Sequence, residues 1–275
     1  MKSLSLLFLV LIISVPNAFA DPEADRLALR AVYEKRFPDV PLDAHADGAY
    51  ALDEAKREQW LEMEDFPPYE FTVDDGEVFY DTPFANGASY ADCLGPDAPV
   101  VKQHYPRFDA ASGEVVTLEQ TLNNCRLENG EEALDYLSDE LVAVTAYIAY
   151  QSRGAKIDIV IPDDPRALAA YEGGKQFFYE RRGQLNFACS NCHIQMAGHM
   201  LRAERLSASL GQVTHWPAYR FKWEEVGPLH RRFARCNVQV RAEPFAQQSD
   251  VYRNLEYFMT YMSNGMELNG PSSRK

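Results

Sequence analysis

The stretch Cys189-Ser190-Asn191-Cys192-His193 organises this chain. It reads Cys-x-x-Cys-His, the attachment pattern for c-type haem. The spacing has a chemical reason. Two thiols must reach the two vinyl groups of one porphyrin, and the adjacent imidazole then meets the iron from the proximal side. The sixth ligand sets what such an iron can do. A bare Cys-x-x-Cys also fits a redox pair or half of a zinc site. The His directly after it, combined with an export signal, favours one covalent haem c on Cys189 and Cys192 with His193 as axial ligand.

The export signal is read from Lys2, the apolar run Leu4 to Val15, and the small-x-small site Ala18-Phe19-Ala20. It predicts a signal peptide over 1–20, a mature chain from Asp21, and a periplasmic location, where haem attachment and disulfides both belong. The run is short for a bilayer span, and no later segment is long and apolar enough to be one. A net charge of −14 over 275 residues argues against a nucleic-acid partner. A hydrophobic fraction of 46% is enough for a packed core.

Helical spacing with capping residues recurs along the chain, so the fold class is mainly α. Helices are expected at Ala24 to Arg36, Asp47 to Glu64, from Thr117 through Cys125, Leu134 to Ser152, from Asp164-Pro165, and Ser249 to Met262. Tyr69 to Pro99 is rich in Asp, Gly and Pro and reads as loop with short extended pieces; Ile157 to Ile161 reads as a linker strand. There is an internal echo. Tyr150-Gln151-Ser152-Arg153-Gly154 and Tyr261-Met262-Ser263-Asn264-Gly265 share Tyr-x-Ser-x-Gly. Each ends at the same offset from a lone cysteine, Cys125 to Gly154 and Cys236 to Gly265. This predicts two cytochrome c-like domains in tandem, a haem-less one over 21–155 and a haem-binding one over 156–275.

The chain has five cysteines, and haem attachment leaves three: Cys93, Cys125 and Cys236. If the halves are equivalent, Cys125 and Cys236 occupy matching positions. Cys93 is then the candidate partner for Cys125, and Cys236 is left over in the haem half. It could supply the sixth iron ligand. An inert buried thiol, or Met196, Met200, Met259, Met262 or Met266 as ligand instead, is the alternative; the odd count of cysteines and the place of Cys236 downstream of the haem motif favour the ligand. Arg231, Arg232, Arg235 and Arg241 surround Cys236 in an otherwise acidic protein, a setting that favours thiolate and attracts anions; a solvated or ion-paired face is the plainer reading. His230 is a candidate proton carrier, whereas His199 and His215 read as structural.

Longer stretches resemble a known family. Gly174-Lys175-Gln176-Phe177-Phe178-Tyr179, the run Phe187 to His193, Ser207 to Gly211, His215-Trp216-Pro217 and Leu229-His230-Arg231-Arg232-Phe233 before Cys236 resemble the SoxA family. Asn124-Cys125-Arg126 and Ser152-Arg153-Gly154 do so in the first half. SoxA proteins are the larger cytochrome subunits of the SoxAX complexes of bacterial thiosulfate oxidation. The resemblance implies an L-cysteine S-thiosulfotransferase, which oxidatively joins thiosulfate to a cysteine of a SoxYZ carrier. It implies a SoxX cytochrome partner and a downstream acceptor cytochrome c. It further implies that Cys236 ligates the haem iron and carries a persulfide, and that Arg232 faces the anionic substrate. The first half lacks the haem motif of two-haem members, so the chain resembles the single-haem type, in which a disulfide, here Cys93 with Cys125, occupies the lost site. A plain electron-carrier cytochrome c and a thiosulfate dehydrogenase forming tetrathionate are the alternatives.

Overall fold

The computed structural model describes residues 21–275; the expected signal peptide over 1–20 lies outside the described residues. Helix α1 (Pro22–Arg36) opens with Asp21 accepting the Ala24 N–H and Pro22 at the first position, where its missing N–H costs nothing. The helix expected from Asp47 to Glu64 is instead two elements. A tight helical segment, Leu42–Leu52, is kinked at Gly48, whose φ of 65° suits glycine. Asp53 then caps a separate α2 (Glu54–Glu64).

The region from Tyr69 to Pro99 corrects the sequence reading. It contains α3 (Glu70–Asp81) and α4 (Tyr90–Leu94), not loop with extended pieces. Asp, Gly and β-branched residues disfavour helix locally, but packing overrides that preference. Val73, Gly76 and Tyr80 share the buried face of α3. Gly76 is pressed so closely on a neighbouring helix that a Cβ there would lie 2.0 Å from the Ala143 carbonyl oxygen.

The chain continues through a hairpin, β1 (Arg107–Asp109) and β2 (Glu114–Val116), to α5 (Leu118–Glu128) and α6 (Asp139–Gln151). Thr117 caps α5 by accepting the Gln120 N–H, as its place in the sequence predicts. Helix α6 starts at the Ser138 cap, later than Leu134, because Asn123 holds Leu134 outside the helix through two hydrogen bonds. The stretch from Ile157 to Ile161 forms no strand; Ile157 donates to the Met266 carbonyl and Ile159 pairs with the Asn264 side chain.

Asp164 caps α7 (Pro165–Tyr179). After it come a short antiparallel pair, β3 (Met200–Leu201) and β4 (Glu204–Arg205), then β5 (Ala218–Arg220), β6 (Glu225–Gly227), α8 (Leu229–Gln239), α9 (Asp250–Met262) and β7 (Ser272–Arg274). Strand β5 lies between antiparallel β6 and parallel β7.

The echo seen in five residues extends through whole elements. The hairpins, α5 with α8, and α6 with α9 recur at one constant offset along the chain, from Arg107 to Ala218, from Leu118 to Leu229 and from Asp139 to Asp250. The crossing of α3 on α6 is repeated by α7 on α9. A Cβ on Gly174 would lie 2.0 Å from the Asn254 carbonyl oxygen, and Asn254 is the counterpart of Ala143 at that same offset. The halves are interleaved. Val115 and Phe108 of the first hairpin pack into the core around α7 and α9, while Val226 and Tyr219 of the second pack into the core around α3, α5 and α6. Leu29 and Tyr33 of α1 also join the second core, so packing crosses the expected division at residue 155. Among the described residues, no helix is long and apolar enough to cross a membrane.

Candidate active site

The Cys-x-x-Cys-His stretch follows α7 as a wide turn. The Asn191 side chain accepts the Ala188 N–H at 2.7 Å, and the Met196 N–H closes the turn on the Asn191 carbonyl. Its backbone is clamped from α1, where the Tyr33 hydroxyl bonds the His193 carbonyl at 2.7 Å and the Ser209 hydroxyl at 2.7 Å. Arg36 adds a bond to the Ile194 carbonyl.

His193 is oriented through its Nδ1, 3.1 Å from the Ser207 carbonyl. The Ser207 carbonyl only accepts and favours a proton on Nδ1, whereas the Gln212 amide nitrogen against the same atom favours the other tautomer; the first leaves the Nε2 lone pair to a metal, the usual arrangement for a ligating imidazole. Burial, countered only in part by the Ser207 carbonyl, pushes the imidazole down to about 4, so it is neutral at pH 7. The Gln212 amide lies beside the ring, with its Nε2 2.7 Å from Nδ1. Ser207, Gln212 and Tyr33 carry no sequence signature of their own; the fold brings them to the motif.

Cys189, Cys192 and Cys236 are the free cysteines among the described residues, and Cys236 lies within electrostatic reach of the other two. Burial raises the Cys189 thiol to about 11, and the adjacent Cys236 adds to it. Cys192 is raised by burial and then by Cys236, against the nearby Arg232 guanidinium. Cys236 and Arg232 stand at i and i−4 on α8 and so share one helix face. The set fits a c-type haem: two free thiols, a neutral imidazole directly after them, and a third thiol from a different helix.

The four-arginine cluster read from the sequence is divided by the fold. Arg231 pairs with Glu225 at 2.6 Å and covers the Trp223 ring. Arg235 and Arg241 are exposed. Of the four, Arg232 is the one whose charge is felt at Cys192; at Cys189 that place is taken by Arg182, 3.8 Å from its sulfur. His230 is not placed to carry protons to solvent. It is 2% exposed, its Nδ1 accepts the Gln248 N–H at 3.1 Å, and its Nε2 lies 3.0 Å from Glu256. His215 is buried and held neutral, chiefly by burial and then by Arg274, Arg220 and Arg232. Met259, Met262 and Met266 are buried in the apolar core, and Met196 and Met200 are exposed.

In the first half, Cys93 and Cys125 form a disulfide with sulfurs 2.00 Å apart. Cys125 and Cys236 are related by the offset that relates the helices, so the same scaffold position holds a disulfide in one half and a free thiol in the other.

A mainly helical chain with these features is a cytochrome c-type protein, and the comparisons agree. The family described as SoxA/TsdA, cytochrome c domain, matches residues 75–157, a stretch that includes the disulfide and excludes the Cys-x-x-Cys-His motif. The L-cysteine S-thiosulfotransferase subunit SoxA of Allochromatium vinosum is 53% identical over 94% of this chain and 92% of its own. The subunit of the same name from Chlorobaculum tepidum is 50% identical, covering 92% and 88%. The crystal structure of SoxXA from P. pantotrophus superposes with a TM-score of 0.72 at 33% identity, over 79% of this chain and 84% of that one. The chain belongs to the SoxA family.

Proposed function

We propose that this chain is the catalytic subunit of an L-cysteine S-thiosulfotransferase, exported to the periplasm, working with a SoxX-type cytochrome and acting on a SoxYZ-type carrier. One haem c would be held covalently by Cys189 and Cys192, with His193 and Cys236 as the side chains that would bind its iron. The chain comprises two cytochrome c-like units meeting near residue 155, the first without haem. The observation that carries this reading is the grouping of Cys236 and Arg232 on one face of α8, beside Cys189 and Cys192.

When bound, the haem supplies a one-electron sink and a path for electrons out of the site. The chain's own groups do the rest. The Arg232 guanidinium binds and orients the sulfonate oxygens of thiosulfate, an anion suited to a planar fork of donors. Cys236, carrying an additional sulfur as a persulfide, would form an S–S bond to thiosulfate with loss of two electrons; the carrier thiolate would then attack the sulfur that bears the sulfonate and release the persulfide, so that the coupling is split into two easier steps. In net terms, the carrier thiolate and thiosulfate become one S–S bond bearing a sulfonate. Two electrons leave, passing by way of the partner to an acceptor cytochrome c.

Intact mass of the mature protein, together with low-temperature electron paramagnetic resonance of wild type and Cys236→Ala, tests this. One added haem, one disulfide, one additional sulfur, and a thiolate-type iron signal lost in the variant support it. A methionine-type signal unchanged by the mutation would refute the sulfur-transfer mechanism and leave an electron carrier.

A further inference from the structure

Behind the cysteines lies a pair of arginines that the sulfur chemistry does not use. Strand β7 pairs with β5 in parallel, in a register that sets Arg274 against Arg220. Paired residues on neighbouring strands project from the same face, so the two guanidinium groups are like-charged cross-strand neighbours, normally a destabilising placement. Arg274 is only 5% exposed and packs against the rings of Tyr50 and Trp60, at 5.3 and 4.9 Å. Its Nη1 is occupied by Ser272 and Ser273. Its Nε and Nη2, the edge that grips a carboxylate with two parallel bonds, are buried without a partner, and so is Nε of Arg220. Among the described residues, neither guanidinium is in ion-pair contact with a carboxylate; Glu64, which accepts the Ser273 N–H, and Asp47 support the Arg274 charge from further off. Arg220 lies within electrostatic reach of Cys236 and Arg232. Arg274 stands around Gly48 with His215, which is three residues along the chain from Gln212, whose amide lies beside the His193 ring. Arg274 is buried and Arg220 half-buried; like-charged neighbours with buried, unpartnered N–H groups are costly unless an anion completes them.

We propose that Arg220 and Arg274 bind the two propionate carboxylates of the haem, anchoring its edge and placing fixed positive charge near the iron. Haem c brings two carboxylates to two guanidinium groups, so charge and number match. The burial of Arg274 selects a resident anion over one that exchanges with solvent at each turnover. Thiosulfate shares the oxyanion chemistry, but Arg232, one helical turn from Cys236, is better placed for a substrate. The inference rests on the haem assignment and not on the sulfur-transfer step.

The test uses the haem-loaded chain, with haem content fixed by intact mass, in wild type, Arg220→Gln, Arg274→Gln and Arg274→Lys. Removing a positive charge favours ferric iron. The reduction equilibrium in each Gln variant is expected to fall about tenfold, about 59 mV for one electron, and the propionate bending band in resonance Raman spectra to move. Arg274→Lys keeps the charge but not the planar fork; it should restore the potential while the band stays displaced, and it serves in place of Arg274→Gln should that variant not accumulate. Loaded variants with wild-type potential and an unmoved band would overturn the proposal. So would a tenfold loss of thiosulfate affinity with the potential unmoved, which would assign the pair to substrate. A wild-type chain without haem would remove the haem assignment itself.

Discussion

The two halves put the same elements to different ends. α5 and α6 match α8 and α9 in length and spacing, and each half has a helix crossing through a single glycine, Gly76 or Gly174. At the matching cysteine, the first half forms a disulfide and buries Cys125 to 2% exposure. The second leaves Cys236 free beside Cys189 and Cys192. A second pair of matching positions also diverges. His230 and Glu256 form a buried couple in the second half, where the first half has Glu119 and Thr145. A helical scaffold is therefore indifferent to whether its central sulfur is used for cross-linking or for chemistry. The neighbours decide, and those are set a few residues at a time.

Exchanging the sulfurs for alanine breaks that comparison most sharply. Cys236→Ala is expected to lower thiosulfate-dependent carrier modification by roughly 10⁴-fold or more, the scale for removal of a covalent nucleophile, with folding largely retained. Cys125→Ala should leave the haem spectrum in place and lower stability by about 3–4 kcal/mol, the chain-entropy value for a loop of this size. Assays of turnover and denaturant unfolding on both variants check the contrast.

Glu256 ties the halves together, since Lys102 of the first half approaches it at 3.9 Å and His230 at 3.0 Å. Burial pushes its carboxyl up, but the His230 hydrogen bond and Lys102 outweigh that and leave it below its ordinary value. A depressed carboxyl stabilises the fold above its unfolded value of 4.5 and loses that contribution as pH falls through the folded value. Glu256→Gln, which leaves Lys102 buried and unpaired, should cost about 3–5 kcal/mol at pH 7. Its stability should fall less steeply than wild type on acidification below the ordinary carboxylate range, as chemical denaturation across pH would reveal.

The two glycine crossings permit a matched pair of variants. Gly76→Ala and Gly174→Ala should each destabilise by about 1–3 kcal/mol or more through overpacking, because the new Cβ meets backbone rather than a movable side chain. Only Gly174→Ala should also perturb the haem absorption spectrum, since α7 leads into the motif. Equal spectral effects would erase the distinction between a structural half and a working half.

The smallest effect concerns His45, which is buried among Tyr33 and Phe37 with both ring nitrogens unpartnered. Burial holds it down to about 4. A depressed imidazole takes its proton first in the unfolded state, so stability declines as pH falls from its ordinary value of 6.5 toward about 4. His45→Phe should flatten the decline over that interval, measured by melting temperature against pH.

Much of this was legible because local signals were strong. Asp164-Pro165, Ser249 and Thr117 mark helix starts through their own hydrogen-bonding chemistry, and each caps a helix. The shared offset from Cys125 and Cys236 to their Tyr-x-Ser-x-Gly ends pointed to duplication, because equal spacing survives when surrounding residues change. Tyr69 to Pro99 misled because α3 owes its helicity to contacts on one face, and the Ser89–Asp92 capping box of α4 opens a helix of only five residues.

What the sequence alone determined is the inventory: a Cys-x-x-Cys-His motif, an odd cysteine followed through a repeat, arginines near it, and membership of a family. Those depend on residue type and spacing along the chain, both visible in one dimension. Only the tertiary structure decided which of the four arginines is felt at Cys192, that His230 is locked to Glu256, and that Ser207 orients His193. It alone set Arg274 beside Arg220, far apart along the chain yet adjacent in the β5–β7 register. The reason is physical. A side chain's charge and reactivity depend on burial and on what lies within a few ångströms, and here those neighbours come from distant segments brought together by packing.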